Sequence, residues 1–115
     1  MNVDVHIRTA DLNDALRTYI ERRLHFALGR FAGTLGRVRV QVEDVAGARS
    51  ATDTSCRIRA ELLPNRRVLS QQAIDANLHV AIDLATERIG RSLGRALERN
   101  RRFGTTRESY PLPNT

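Results

Sequence analysis

The sequence predicts an α+β domain with the order β-α-β-β-β-α: a four-stranded mixed sheet with two helices packed on one face. Three observations lead there. Three of the four candidate strands alternate apolar and polar residues with a period of two, so each has one face to bury. Two longer segments repeat apolar residues at steps of three and four, so each makes a helix with one apolar stripe. The chain has 115 residues, 41% of them hydrophobic, which suits one domain with one core. One-faced strands and one-striped helices satisfy each other in two layers.

The first strand spans residues 2–8, with Val3, Val5 and Ile7 facing one way and Asp4, His6 and Arg8 the other. Asp11 or Asn13 can cap the helix that follows. That helix runs from about Leu12 to Leu28 on a stripe of Leu12, Leu16, Tyr19, Ile20, Leu24, Ala27 and Leu28, and Gly29 and Gly33 end it. The second strand covers Arg37 to about Val45, with Val38, Val40 and Val42 inward. A right-handed crossover makes it parallel to the first. Small residues between Ala46 and Thr52 form a mobile loop. The third strand, Thr54 to Leu63, turns Cys56, Ile58, Ala60 and Leu62 inward, and Pro64 and Asn65 fold it back on the fourth as an antiparallel hairpin. The fourth strand, Arg67 to Ile74, alternates too poorly to show its buried face. Asp75 or Asn77 caps the last helix, whose stripe is Leu78, Ile82, Ala85, Ile89, Leu93 and Ala96. The domain is expected over residues 1–102, with 103–115 a disordered tail containing two prolines.

Composition narrows the function. All 19 basic residues are arginine, the net charge is +6 and the pI is near 11.1. The partner is therefore expected to be polyanionic: nucleic acid, an anionic membrane surface or an acidic protein. One cysteine excludes an internal disulfide and fits a reducing compartment. There is no signal peptide and no apolar run of the roughly 20 residues a membrane span needs, so the expected location is the cytoplasm.

Catalysis and metal binding find little support. His6, His25 and His79 are scattered, and none has metal-ligand spacing to another His or to Cys56. No glycine-rich phosphate loop occurs. No enzyme activity, cofactor, metal or small-molecule substrate is expected.

The strongest signal is the placement of arginine. Arg88, Arg91, Arg95, Arg99 and Arg102 follow one another at steps of three, four, four and three, which keeps them within one arc of the last helix beside its apolar stripe. Asp83, Glu87 and Glu98 fall on the other flank. The arginines stand about 4.5–6 Å apart along the axis, a spacing able to follow a phosphate strand. Like charges four residues apart repel by a few tenths of a kcal/mol, a cost that a bound anion would relieve. A solvated, ion-paired surface is the plainer alternative. Arg22 and Arg23 of the first helix would extend the ridge into a groove if the helices lie side by side, with Arg30 just beyond. Arg37, Arg39, Arg57 and Arg59 make a weaker patch on the opposite face, interleaved with acids. Gly90 and Gly94 permit close approach of a partner. Only 4% of residues are aromatic and none lies on the wet sheet face, so backbone charge, not base stacking, is the expected mode of recognition.

Two segments, LNDALRTYIERRL and AIDLATERIGRSLGRALER, resemble the ribosome hibernation-promoting factor / ribosome-associated inhibitor A family, also called the sigma-54 modulation protein family, in a short form. The resemblance covers roughly residues 1–102. It implies a fold similar to double-stranded RNA-binding domains and binding to ribosomal RNA of the small ribosomal subunit. The protein would sit in the tRNA/mRNA channel, inhibiting translation by occlusion as a monomer. It also implies that Arg88, Arg91, Arg95, Arg99 and Arg23 meet RNA phosphates. The alternatives are a general double-stranded RNA-binding module and a protein-interaction module with an acidic partner.

Overall fold

A computed structural model describes residues 1–9, 14–46 and 52–108, with side chains described through residue 99. The elements are β1 (Asn2–Arg8), α1 (Asp14–Leu28), β2 (Leu35–Ala46), β3 (Thr52–Leu62), β4 (Arg67–Asp75) and α2 (Leu78–Glu108), with a 3₁₀ segment (Gly29–Thr34) after α1. The order is that read from the sequence. The sheet runs β1-β2-β3-β4. β1 lies parallel to β2, pairing Val3 with Val38 and Val5 with Val40. The other neighbours are antiparallel, with Val40 opposite Ile58 and Ile58 opposite Gln71.

The alternation does what it promised. Val38, Val40 and Val42 of β2 and Cys56, Ile58, Ala60 and Leu62 of β3 are buried under the helices. Leu16, Ile20, Leu24 and Leu28 of α1 and Ala81, Ile82, Ala85, Ile89, Leu93 and Ala96 of α2 close over them. Each fully buried Leu or Ile contributes about 1.5–3 kcal/mol relative to its exposed state, so this layer holds the fold. α2 packs on β3 and β4, and α1 lies beside it towards β1.

The structure supplies what the pattern left open. β4 turns Leu69, Gln71 and Ala73 to the helices and Val68, Ser70, Gln72 and Ile74 outward, by their pairing with Ala60, Ile58, Cys56 and their neighbours. Gln71 is tolerated inside because its amide donates to Ser92 Oγ of α2 at 2.7 Å. Asn77 is the cap of α2: its Oδ1 accepts from the main-chain N–H of His79 at 2.9 Å and of Val80 at 3.2 Å. Asp75 sits one step back, accepting from the N–H of Asn77 at 2.8 Å.

Some boundaries move. Gly29 does not stop the chain from coiling, because the 3₁₀ segment continues to Thr34, whose hydroxyl donates to the Phe31 carbonyl at 2.8 Å. α2 extends past Arg102 to Glu108, so the expected tail begins inside the helix, whose residues there contain no proline to stop it. The expected cap at Asp11 or Asn13, the start of α1 at Leu12, most of the loop after Ala46 and residues 109–115 lie outside the described residues.

Candidate nucleic-acid interface

α1 and α2 run side by side, with two glycines of α2 in the seam between them. A Cβ at Gly90 would stand 3.5 Å from the Ala27 carbonyl oxygen, and one at Gly94 would stand 3.9 Å from the Arg30 guanidinium and 4.0 Å from the Phe31 ring. The partner that these glycines admit is the first helix itself, together with its 3₁₀ extension.

A polar network ties the seam. The Tyr19 hydroxyl donates to Asp83 Oδ1 at 2.6 Å, and Arg23 Nε lies 3.1 Å from the same oxygen. Tyr19 also meets the His79 ring edge-on at 4.8 Å. The Asp83 carboxylate favours the protonated phenol, and partial burial adds to this, so Tyr19 ionises above its ordinary 10.0. Thr86, fully buried in the seam, turns its hydroxyl back to the Asp83 carbonyl at 2.9 Å.

The network corrects the reading of the charges. Asp83 and Glu87 occupy the flank of α2 that faces α1, and both find arginines. Arg23, which falls within the apolar stripe by helical angle, reaches the seam and pairs with Asp83. Arg91 pairs with Glu87 one turn before it, so it is not a free member of a self-repelling row. Arg88 donates to the Gln72 carbonyl of β4 at 2.8 Å and fastens helix to sheet. Arg95 and Arg99 are exposed and have no ion-pair partner among the described residues. Arg22 is likewise exposed on α1. The side chain of Arg102 lies outside the described residues.

The ridge therefore does not simply widen into a uniformly basic groove. A groove does open between α1 with its 3₁₀ extension and α2, in two connected stretches. One is lined by Arg23, Phe26, Ala27, Arg30, Glu87 and Arg91. The other runs on past Arg30, Phe31, Gly94, Arg95 and Glu98. Four arginines thus meet two carboxylates along it. Arg30 touches both stretches and lies over the Phe31 ring at 4.6 Å. Sequence reasoning placed Arg30 in a basic cluster without counting it as a site residue. Its role depends on the 3₁₀ segment, which no local pattern announced. Phe26, 85% exposed, stands at the rim with the Arg23 guanidinium 5.9 Å from its ring centre.

The opposite face is also basic. Arg39 and Arg59 are directly paired across β2 and β3, and Arg57 faces Gln41. Arg37 approaches Asp4 at 3.7 Å. Among the described residues no His, Cys, Asp and Glu cluster suits a metal ion, and no helix is long and apolar enough to cross a membrane. Cys56 is fully buried among apolar side chains, which pushes its thiol up to about 12 and leaves it inert.

Comparison with known proteins agrees with this architecture. The chain is 24% identical to the N-terminal domain of Protein Y from Thermus thermophilus, with a TM-score of 0.60, covering 83% of this chain and 98% of that one. It is 14% identical to a ribosomal subunit interface protein from Coxiella burnetii, with a TM-score of 0.64, covering 82% and 97%. At these identities the likeness is one of fold. No individually curated protein matches the chain. The sequence profile described as sigma 54 modulation protein / S30EA ribosomal protein matches residues 3–101. With nearly the whole domain inside that match, the chain belongs to the sigma-54 modulation protein / S30EA ribosomal protein family of ribosome-associated proteins.

Proposed function

We propose that this protein binds ribosomal RNA of the small ribosomal subunit through its helical face. There it occupies the channel used by tRNA and mRNA and silences translation by occlusion, without catalysing a reaction. It acts in the cytoplasm, as a monomer. The observation that carries this reading is the exposed arginine row of α2, Arg95 and Arg99 above all, beside a groove rimmed by Arg23, Arg30 and Arg91. Membership in a ribosome-associated family supports ribosomal RNA as the anion this surface meets. The Coxiella burnetii protein described as a ribosomal subunit interface protein shares its fold.

The phosphate backbone dominates affinity in such complexes, and each arginine contact releases counterions. Arg95 and Arg99 can engage phosphates without giving up an ion pair seen among the described residues. Arg91 would exchange Glu87 for a phosphate, and Arg88 would have to release the sheet.

The test is co-sedimentation of the purified protein with separated ribosomal subunits at physiological salt, with and without competing RNA duplex. Retention by the small subunit, resistant to an equal mass of duplex, is the expected result. Failure to pellet with either subunit refutes the reading. Complete displacement by duplex assigns the protein to general double-stranded RNA binding instead.

A further inference from the structure

Phe26 is the most exposed large apolar side chain among the described residues, at 85%. It is not part of the core cluster. α1 presents Arg23, Phe26 and Ala27 on successive turns of one face, the spacing at which side chains stand over one another, and its 3₁₀ extension adds Arg30. That face looks onto α2, where Gly90 keeps the floor of the groove low and Arg91 forms the far wall. The open groove there offers about 260 Å³. An aromatic ring open to solvent, backed by one guanidinium and flanked by two more across a shallow floor, fits a nucleotide better than a bare phosphate.

We propose that Phe26 is a stacking platform for one unpaired nucleobase, with Arg30 and Arg91 holding the phosphates on either side of it. The proposal rests on the reading of the helical face as an RNA interface and adds to it that the RNA there is locally single-stranded. Every base has a π-face, so the platform is tolerant of sequence. Arg23 lies within the roughly 6 Å that a cation–π contact requires. The ring is thereby supported on one side and free on the other. Glu87, in the same wall, excludes a second phosphate from the position beside it and can accept from a base amino group. This differs from the sequence expectation of pure backbone recognition. A count of aromatics is silent about where the few that exist are placed.

The test compares three labelled RNAs with the full chain: a short oligoadenylate strand, the same backbone with abasic residues, and a fully paired duplex of equal length. The wild-type protein is expected to prefer oligoadenylate over the abasic strand. Phe26→Ala should weaken oligoadenylate binding roughly 5- to 150-fold, the range of one lost base–aromatic stack, while leaving the abasic strand and the duplex unchanged. Phe26→Trp should restore it. The ring is outside the core, so circular dichroism and melting temperature of Phe26→Ala should match the wild type. Equal binding of oligoadenylate by wild type and Phe26→Ala overturns the proposal, as does equal binding of abasic and intact strands. The underlying reading fails separately. If the charge-reversed variant R91E/R95E/R99E still pellets with the small subunit, the helical face is not the interface. If that variant is inactive and Phe26→Ala is silent, only the stacking platform is lost.

Discussion

Asp83→Ala should loosen the protein and tighten its grip on RNA at once. One carboxylate oxygen of Asp83 takes the Tyr19 hydroxyl at 2.6 Å and lies 3.1 Å from Arg23 Nε, and these contacts fasten α1 to α2. A hydrogen bond to a charged group is worth about 1.5–3 kcal/mol when satisfied and partly buried; Tyr19 lies near the surface, so the lower end applies. The side chains of Arg23 and Asp83 are 34% and 43% exposed. Solvent screening therefore holds that ion pair to about 0.5 kcal/mol. Alanine returns roughly 0.5 kcal/mol as a better helix former than aspartate. The net loss is about 1.5 kcal/mol, which in a domain of this size lowers Tm by about 6 °C. The same change frees Arg23 and removes a negative charge from the seam, so RNA affinity should rise. The assay pairs thermal unfolding by circular dichroism with RNA binding in one buffer. A double-mutant cycle with Tyr19→Phe should give a coupling of about 1 kcal/mol. Strict additivity, or a fall in RNA affinity with the fold intact, would refute the reasoning.

Three further outcomes follow. Replacing both Arg95 and Arg99 by glutamine should flatten the log–log dependence of RNA affinity on salt by about 1.4–1.8, at 0.7–0.9 per phosphate contact, with Tm unchanged; a salt titration of binding measures it. Gly90→Ala should stabilise, because the new Cβ meets only ordinary contact with Ala27 at 3.5 Å while mid-helix alanine is favoured over glycine by about 1 kcal/mol; Gly90→Leu should instead push α1 away and lower Tm. Finally, stability should fall at high pH. The folded state keeps the Cys56 thiol protonated to about 12 and holds the Tyr19 proton beyond 10.0. Above about pH 9 the unfolded chain therefore binds fewer protons, and unfolding becomes easier as pH rises. Urea midpoints between pH 8 and 11 test this, and a midpoint that rises across that range contradicts it.

The layers of this fold were legible because burial and sequence period coincide. Val38, Val40 and Val42 are buried, and nothing but a half-buried strand places them so. β4 was not legible for the opposite reason. Val68 and Ile74 point to solvent while Gln71 points inward, each against its polarity, and only Ser92 of α2 explains the glutamine. The candidate site divides the same way. The arc of arginines on α2 is a local property, and it could be read from spacing. Which of them are already engaged is tertiary: Arg88 depends on where the β4 backbone runs, and Arg23 on how near Asp83 comes once Gly90 lets the helices approach. Phe26 and Arg30 acquire meaning only when the 3₁₀ segment carries the chain along the groove.

Two arginine contacts outside the groove have a bearing on how the molecule behaves in a crowded solution. β1 and β4 are the outermost strands, and an outermost strand offers its main chain to any other extended segment. Arg17 of α1 donates to the Val5 carbonyl of β1 at 3.0 Å, as Arg88 of α2 does to Gln72 of β4. Each helix thus lays a charged side chain over the margin of the sheet beneath it. A stray strand would have to displace a charge-assisted bond and approach a guanidinium before it could add to either side. The residue type that lines the helical groove thus also shields the margins of the sheet.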